Sequence, residues 1–365
     1  MAQPRFKFTG ELKLPKAESK RPFVKEFTKD NTPMVSMNFG IQESKGNIGF
    51  VECFGSVQKK IKTYNTDNEA IEISWDDRLK KEVKDSVANY RKFIVDLGEE
   101  DGGRFEFITA YDAIMYLKEV LPKFEGKICV TGQLVKQWYE NQYYDKFQFT
   151  SVYAVNEEKK NRLTVTSDIY YKKDCIDSSD WKEEKKLYID GYISQYINKD
   201  EGTKFIPQRF VFSAAKYNEN NEKHQKLLTY KLKYIKCDKK KWQHLLWECV
   251  LQNGAEEVDF DESQLTPAQK EQIELGVRTL DDFKPNGQIF GNSIHEYRLF
   301  EPLLIKTSET DFSDGFVDVD LSDDDFEDMI YQPPKKEKMS EVMKESEEKE
   351  TSSDDNDEIS EDDLF

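Results

Sequence analysis

Alternation of apolar and polar residues predicts that the first part of the chain forms β-strands. Phe6, Phe8, Leu12 and Leu14 alternate with mostly charged residues, and the same period of two returns further along the chain. This period is typical of a strand with one buried face. The pattern predicts strands at residues 5–14, 35–41 and 48–57, a long basic connection at 15–33 and a turn at 46–47.

Residues 59–108 follow a mixed pattern and are predicted to be an insertion. Within it, residues 71–75 and 93–95 are strand-like, residues 79–90 have helical spacing, and residues 99–103 form a polar loop. A clearer helix begins at Thr109, because Thr109 and Asp112 fit a capping pair. Pro122 is expected to end it.

Two further strands are predicted at residues 127–139 and 146–155, around an aromatic loop. Three strands, a helix and two strands is the order of an OB-fold, a small five-stranded barrel. An apolar-x-Gly-x-apolar motif occurs around Gly10, Gly132 and Gly191. Glycine inside a strand often marks a bulge or a close approach of backbones, which a small barrel requires.

A second barrel-like series follows the first. Strands are predicted at residues 187–197, 205–216, 227–236 and 242–251, followed by a helix from Thr266 to about residue 283 and apolar sequence at 289–305. The strand at 163–171 fits either unit. The predicted fold class is therefore mainly β with a few helices, as tandem OB-folds: one domain at 1–160 with the insertion at 59–108, and a second OB-like domain at 161–306.

The charge of the chain is concentrated at its C-terminal end. Residues 309–365 contain 23 acidic and 5 basic residues, which accounts for the net charge of −18, and residues 1–308 contain 49 of each. We predict that 307–365 is an acidic, largely disordered tail. Its apolar residues between 312 and 330 indicate a docking motif, a nucleic-acid mimic or an acidic linker without structure of its own.

Composition argues against several classes of function. The three histidines have no metal-ligand spacing with cysteine, no phosphate-binding glycine loop occurs, and no catalytic constellation is evident. We therefore predict no enzyme activity, no metal and no cofactor. Long apolar segments and a secretory leader are absent from the sequence, and the cysteine count is odd, so we expect reduced thiols, a cytoplasmic location and no membrane partner.

Aromatic and basic residues on the predicted strands are suited to single-stranded nucleic acid, which stacks its bases on aromatic rings and places its phosphates along cations. In the first barrel these residues surround the loop between the last two strands. In the second, three tyrosines share the outward face of one strand, with basic residues on its neighbours. The candidate single-stranded DNA ligands are Lys136, Trp138, Tyr139, Tyr143, Tyr144, Lys146, Tyr188, Tyr192, Tyr196, Arg209, Lys231 and Lys233. Packing against a neighbouring domain is the structural alternative for each tyrosine.

A basic stretch near the first strand adds a candidate path for phosphates. It contains Arg5, Lys7, Lys13, Lys16, Lys20, Arg21, Lys25 and Lys29, among few acidic residues. A solvated basic surface without a ligand is the alternative for this stretch.

The last eight residues, Glu-Ile-Ser-Glu-Asp-Asp-Leu-Phe at 358–365, are an acidic run that ends in an aliphatic residue, an aromatic ring and a carboxylate. This tip resembles the tail of bacterial and phage single-stranded DNA-binding proteins, although the proline before the final phenylalanine is missing. The resemblance implies partner binding by Asp362, Asp363, Leu364 and Phe365. An acidic solubilising tail is the simpler alternative.

Together these features predict a protein that coats single-stranded DNA without sequence preference in replication, recombination or repair. Through its tail tip it would recruit replication or recombination proteins, in a host cytoplasm if the protein is phage-encoded. The alternative is an acidic interaction or scaffold protein whose barrels bind protein and whose tail mimics nucleic acid; a body without a continuous basic groove would favour it. Two barrels in one chain are compatible with a monomer or a dimer.

Overall fold

The structure is a computed structural model, and it describes residues 3–16, 19–98, 103–236, 242–257, 265–275, 277–278, 290–303, 317–318 and 322–333. The fold is mainly β, as predicted, and most described strands belong to one large sheet. The strands are β1 Arg5–Lys13, β2 Val24–Lys29, β3 Thr32–Ser44, β4 Asn47–Ser56, β5 Lys60–Tyr64, β6 Ala70–Ser74, β7 Phe93–Asp96, β8 Arg104–Phe107, β9 Lys127–Tyr139, β10 Gln142–Val155, β11 Arg162–Tyr171, β12 Ile176–Asp177, β13 Lys186–Asn198, β14 Gly202–Ser213, β15 Gln243–Glu257, β16 Phe290–Pro302 and β17 Val317–Asp318. The helices are α1 Lys81–Ser86, α2 Ala110–Val120, α3 Glu222–Ile235, α4 Pro267–Glu274 and α5 Asp323–Asp328.

Five strands of the N-terminal half pair in a closed ring, which we call ring 1. The order is β1, β3, β4, β10, β9 and back to β1. All pairs are antiparallel except β4 with β10, which run parallel where Glu52 meets Gln148. Apolar residues at alternate positions along these strands fill the interior. The aromatic side chains of Phe6, Phe8 and Phe147 contact one another there, at centroid distances of 4.7–5.4 Å.

Five later strands form a second ring of the same order, which we call ring 2. Here β11, β13, β14, β16 and β15 take the places of β1, β3, β4, β10 and β9. The parallel contact again joins the third and fifth strands, where Phe210 meets Tyr297. Trp247, Phe212 and Tyr297 are fully buried inside it.

The first strands of the two rings pair with each other. β1 uses one edge for β9 and divides the other edge between β11, at Arg5–Thr9, and β3, at Glu11–Lys13. The two rings are thereby joined by main-chain hydrogen bonds as one sheet.

A helix lies between the third and fourth strands of each ring. In ring 1 this is α2, whose first turn is capped by the Thr109 hydroxyl accepting from the Asp112 amide, as predicted. In ring 2 it is α3, capped by Asn221. Residues 59–108, which were predicted to be an insertion, contribute a separate two-stranded sheet, β5 with β6, over a small core of Ile61, Ile73, Val87 and Ile108.

The glycine motif marks close approaches between strands, as expected. A Cβ atom on Gly10 would lie 2.2 Å from the Gln42 carbonyl oxygen, and one on Gly132 would lie 2.0 Å from that of Gln148. The β9–β10 register shifts just beyond Gln148, between Phe149 and Ser151. At Gly191 the nearest atom would be the Tyr170 carbonyl oxygen at 2.9 Å. Only a residue without a side chain allows these backbones to approach so closely.

Several predicted elements are wrong in detail. Residues 227–236, predicted as a strand, belong to α3, because Asn221 caps a helix there and Lys231, Tyr234 and Ile235 share its buried face. The connection at 15–33 contains β2, which turns into β3 through Asp30 and Asn31, both at positive φ. Such a two-residue turn matches the twist of a hairpin.

Two predicted helices are shorter than expected. Helical spacing over 79–90 corresponds only to α1, which is six residues long. The helix predicted from Thr266 has the expected capping box with Gln269, but α4 ends at Glu274, and the predicted extension to about 283 lies largely outside the described residues.

The stretch predicted as a largely disordered tail contains structure near its start. Residues Val317–Asp318 pair with β15, and α5 buries Phe326 against the body. Residues 334–365, including the predicted partner-binding tip, lie outside the described residues. None of the helices that the structure describes has the length and apolar character required to span a bilayer.

The close approach at Gly132 predicts a large effect of a single methyl group. We expect Gly132→Ala to lower the free energy of unfolding by about 1–3 kcal/mol, because the added atom must displace the β10 backbone. Gln133→Ala is the matched control, because Gln133 is exposed on the same strand, and a change within about 0.5 kcal/mol is expected there. Urea unfolding followed by circular dichroism measures both variants. Equal stability of the two would contradict the assigned role of Gly132.

Candidate nucleic-acid interface

A groove runs across the outward face of ring 1. Its floor is formed by β3, β4 and β10, and the connection between β1 and β2 forms one wall. The central section has a volume of about 480 Å³ and continues into sections of about 510 and 330 Å³. The central section shares Lys20 and Lys146 with the larger neighbour and Phe50 and Phe147 with the smaller one, and Arg21 lines all three, so the sections adjoin along one path.

Cations line this groove on one side. Lys20, Arg21 and Lys25 come from the basic stretch after β1, and Lys146 comes from β10. Among the described residues, Lys20, Arg21 and Lys25 have no carboxylate within 4.0 Å, whereas Lys146 pairs with Glu52 at 3.2 Å. The groove therefore has an excess of positive charge although residues 1–308 are neutral as a whole.

Aromatic rings are exposed on the floor and at one end. Phe50 and Phe54 are 61% and 54% exposed on the outward face of β4. The Phe54 ring lies 6.2 Å from that of Phe27 on β2. Tyr144, on the outward side of the β9–β10 hairpin, is 40% exposed and lies 6.2 Å from Tyr139. A group of exposed apolar side chains rimmed by polar residues is typical of an interaction site, so these rings indicate a binding surface.

Strand alternation explains why the two phenylalanines face outward. Along β4, Gly49, Val51, Cys53 and Gly55 point into ring 1 and are buried. The intervening positions, Phe50 and Phe54 among them, must then face solvent. Sequence analysis placed these rings on a strand but did not assign them to the site. The sequence does contain a signal for this arrangement. Gly49 and Gly55 begin and end the inward-facing series of β4, whereas the two phenylalanines occupy the alternate positions, which face outward.

The aromatic loop predicted between residues 139 and 146 is a tight hairpin. β9 and β10 are joined by only Glu140 and Asn141, both at positive φ, so Tyr143 and Tyr144 lie on a strand. Strand parity separates the predicted ligands into two faces. Trp138 and Tyr143 pack edge to face at 4.7 Å on one face, and Tyr139, Tyr144 and Lys146 lie on the other. Tyr143, Tyr144 and Lys146 line sections of the groove.

Lys136 lines the smallest section of the groove, but its charge is already neutralised. Its ammonium group pairs with the Asp145 carboxylate, and both side chains are more than nine-tenths buried. The backbone of Lys136 is also held by the Gln195 amide, at 2.6 and 3.0 Å. The ion-pair partner lies on the opposing strand of the hairpin, so Lys136 stabilises the tip of the hairpin.

Asp145 is the centre of a buried polar cluster that connects the rings. His295 Nε2 lies 2.6 Å from Asp145 Oδ2, and the Tyr297 hydroxyl donates to the same oxygen. Both partners are on β16 of ring 2. Burial alone would raise the pKa of Asp145, but the contact with His295 and the charge of Lys136 outweigh burial and lower it. The carboxylate therefore stays ionised and holds the ring 1 hairpin against ring 2.

The predicted ligands on ring 2 are dispersed. Arg209 forms a two-pronged ion pair with Asp190, at 2.6 and 2.8 Å, and lies 5.3 Å from the Tyr188 ring. Tyr188 donates its hydroxyl to Asp180. Tyr192 is half-buried against Trp242 and Phe326, whereas Tyr196 is exposed at the far end of β13.

The two predicted lysine ligands 231 and 233 are on α3 and not on a strand beside the tyrosines. Lys231 is buried and donates to the Phe300 carbonyl oxygen. Burial, with repulsion from Lys216, lowers its pKa to about 8. Lys233 lies 5.6 Å from the Tyr234 ring on the same helix. Because both lysines are on α3, neither lines the outward face of β13 and β14.

No arrangement for a metal is present in the part of the chain that the structure describes, where no three or more His, Cys, Asp or Glu side chains are grouped to hold one. The groove offers cations and aromatic faces and is suited to an anionic ligand with flat rings.

No protein-family model and no curated protein matches the chain. Among solved structures, a deletion mutant of the single-stranded DNA binding protein from Thermus aquaticus is similar over 69% of this chain and 89% of its own, with 9% sequence identity and a TM-score of 0.27. A likeness of this degree carries no weight for function, which is inferred below from the groove.

The Asp145 cluster predicts a stability effect that separates buried from exposed ion pairs. We expect Asp145→Asn to lower the free energy of unfolding by about 3–5 kcal/mol, because it leaves Lys136 buried without its counter-charge. Asp190→Asn is the matched control, since its pair with Arg209 is largely exposed, and a loss below about 1 kcal/mol is expected. Denaturant unfolding at pH 7 measures both.

The same pair also has an expected pH dependence. The pKa of Asp145 is lower in the folded chain than in the unfolded chain, where it is about 4, so its contribution is complete above that value and is lost as the pH falls below it. The stability difference between the wild-type protein and Asp145→Asn should therefore shrink as the pH is lowered below about 4. A difference that grows under acid conditions would contradict the assignment.

Proposed function

We propose that the chain binds single-stranded DNA without sequence preference in the groove of ring 1. The observation that carries the proposal is the continuous path lined by Lys20, Arg21, Lys25 and Lys146 with Phe50, Phe54 and Tyr144 exposed along it. Bases stack on the aromatic rings and phosphates follow the cations. The bases of duplex DNA are stacked inside the helix and cannot stack on these aromatic side chains.

The strand order supports this function. Both rings have the order first, second, third, fifth, fourth and back to first, with a helix between the third and fourth strands, and we take each to be an OB-fold barrel. OB-folds bind oligonucleotides on the face of their second and third strands and on two adjoining loops. The groove lies on β3 and β4, between the β1–β2 connection and the β9–β10 hairpin, which occupy those positions in ring 1.

A continuous basic groove favours nucleic acid over the alternative of a scaffold whose barrels bind protein. Of the residues predicted as ligands, Lys136, Tyr143, Tyr144 and Lys146 line the groove, and Tyr139 lies beside it. Lys20, Arg21 and Lys25 come from the basic stretch predicted as a path for phosphates, and Phe50 and Phe54 are added. Coating of single strands in replication, recombination or repair is the process in which such an activity would serve.

Removal of the aromatic rings tests the proposal. We expect Phe50→Ala combined with Phe54→Ala to raise the Kd for an oligothymidine at least about tenfold, because stacking contributes roughly 1–3 kcal/mol per base. Tyr90→Ala is the matched control, as Tyr90 is 63% exposed on the insertion, outside the groove, and its replacement should leave the Kd unchanged. Fluorescence anisotropy of a labelled oligothymidine measures the Kd. Equal Kd values for groove and control variants would refute the proposed site.

The cations of the groove predict the salt dependence. Each phosphate contact to a single strand contributes about −0.7 to the slope of log K against log salt. Lys20→Ala combined with Arg21→Ala should make that slope about 1.4 less steep. Lys62→Ala, an exposed lysine on the insertion, should leave it unchanged. A slope that does not respond to the groove variants would place the phosphate contacts elsewhere.

The acidic tail is proposed to recruit partner proteins through Asp362, Asp363, Leu364 and Phe365. An aromatic ring beside carboxylates can be captured by an apolar pocket with a cation. Deletion of residues 354–365 should keep or increase the affinity for oligothymidine and abolish capture of replication or recombination proteins. A deletion that weakens DNA binding would contradict this division of roles.

A further inference from the structure

Ring 2 has a face equivalent to the groove of ring 1, but the main aromatic side chain on that face is covered. Phe205 is the fourth residue of β14, as Phe50 is of β4, and each pairs with the residue four positions before the end of the preceding strand, Ser194 and Gly40 respectively. The phenyl groups of Phe205 and Phe50 both face outward. Phe50 is 61% exposed, whereas Phe205 is 0% exposed.

The covering element is the acidic segment 322–330 of the same chain. Phe326 of α5 lies between two parallel aromatic faces, 3.6 Å from Trp242 at 7° and 4.3 Å from Phe205 at 11°. Tyr192 closes the side of this slot with its edge, at 5.3 Å and 75°. We call Trp242, Phe205 and Tyr192 the ring 2 slot.

A parallel sandwich is not the usual packing of protein aromatic rings. Side-chain pairs prefer offset or edge-to-face arrangements, with centroids 4.5–7 Å apart. Flat nucleobases, in contrast, are held by stacking on aromatic faces. The geometry of the ring 2 slot is therefore that of a base-stacking site, with the Phe326 ring in the place of a base.

Charges around the slot complete the comparison. Asp323 accepts from the Lys172 ammonium and from the Trp242 indole, both at 2.9 Å, and Lys204 donates to the Asp328 carbonyl oxygen at 3.2 Å. Lys172 also lies 5.0 Å from the Trp242 ring. The Asp323 carboxylate thus occupies the position in which a phosphate oxygen would neutralise Lys172. It lies beside the Phe326 side chain, which occupies the position of a base.

The segment itself has the composition of a mimic. Residues 323–328, Asp-Asp-Asp-Phe-Glu-Asp, place five carboxylates around one ring. α5 has only six residues, too few to be stable without the body. Its attachment includes one main-chain hydrogen bond, from the Phe205 amide to the Met329 carbonyl oxygen at 2.8 Å. A single strand offers the same two kinds of contact, stacking rings and anionic oxygens, and therefore competes with this segment for the slot.

We propose that the ring 2 slot, with Lys172 and Lys204, is a second binding site for single-stranded DNA that residues 322–330 occupy in the absence of DNA. The class of ligand rests on the proposed function of ring 1. Binding of a strand long enough to leave ring 1 displaces Phe326 and exposes the slot. The acidic segment thereby limits the strand length that one molecule covers.

Photochemical crosslinking of the full-length chain to an oligothymidine that contains 5-iododeoxyuridine tests this proposal. Phe326→Ala should increase labelling of the peptides that contain Phe205 or Trp242 and lower the Kd by roughly tenfold, because the competent fraction of the slot rises. Adding Trp242→Ala to Phe326→Ala should remove both gains. Tyr90→Ala serves as the control and should match the wild-type protein.

A second variant keeps the test valid if Phe326→Ala does not fold. Asp323→Asn combined with Asp325→Asn leaves the ring in place, but removes the Lys172 ion pair and the carboxylate that accepts from Ser322. It should produce the same gains to a smaller extent.

Three results are distinguishable. Labelling of ring 2 that increases with the uncovered variants supports the second site. Labelling of Phe50 and Phe54 peptides alone, in every folded variant, overturns the second site and leaves the proposed function of ring 1 intact. Absence of labelling from both rings refutes the proposed function and the second site together.

Discussion

The antiparallel pairing of β1 with β11 is the interaction on which the arrangement of the molecule depends. Each is the first strand of its ring, and each gives part of one edge to its own ring and part to the other. Gly10 stands where β1 changes partners, and a side chain there would collide with the backbone of β3. Because the rings share a hydrogen-bonded sheet, and the Asp145 cluster ties the hairpin of ring 1 to β16, their outward faces are held in a constant relation.

The two faces share a strand order and differ in what covers them. On ring 1, exposed phenylalanine rings and cations line an open groove. On ring 2 the equivalent phenylalanine, Phe205, lies under an acidic segment. That segment stacks the Phe326 side chain on Phe205 and places the Asp323 carboxylate against Lys172. The unequal distribution of charge, with a neutral body and an acidic C-terminal stretch, then has a physical role, since part of that stretch neutralises and covers a basic aromatic surface of its own chain.

Much of the fold follows from local pattern, because strand alternation and glycine placement depend on near neighbours. The predicted strand at 127–139 and the capped helix at Thr109 are both present. The strand predicted at 227–236 failed because Lys231, a buried residue of α3, interrupts the apolar pattern by which a helix is recognised. Lys136 was predicted as a ligand because the burial of its counter-ion Asp145 depends on His295 and Tyr297, which lie 150 or more residues from Asp145 in the sequence. For the same reason nothing near Tyr192 indicated that Phe326 would cover it.

The most direct test of the central claim is a fluorescence anisotropy titration of full-length protein with a labelled oligothymidine, across a salt series, with unlabelled duplex DNA and a matched RNA strand as competitors. Tight binding that weakens steeply with salt, and that duplex competes for poorly, is the result expected of an exposed aromatic groove with a basic wall. Equal competition by duplex, or no binding at low salt, would contradict it. Stronger competition by the RNA strand would assign the groove to RNA and not to DNA.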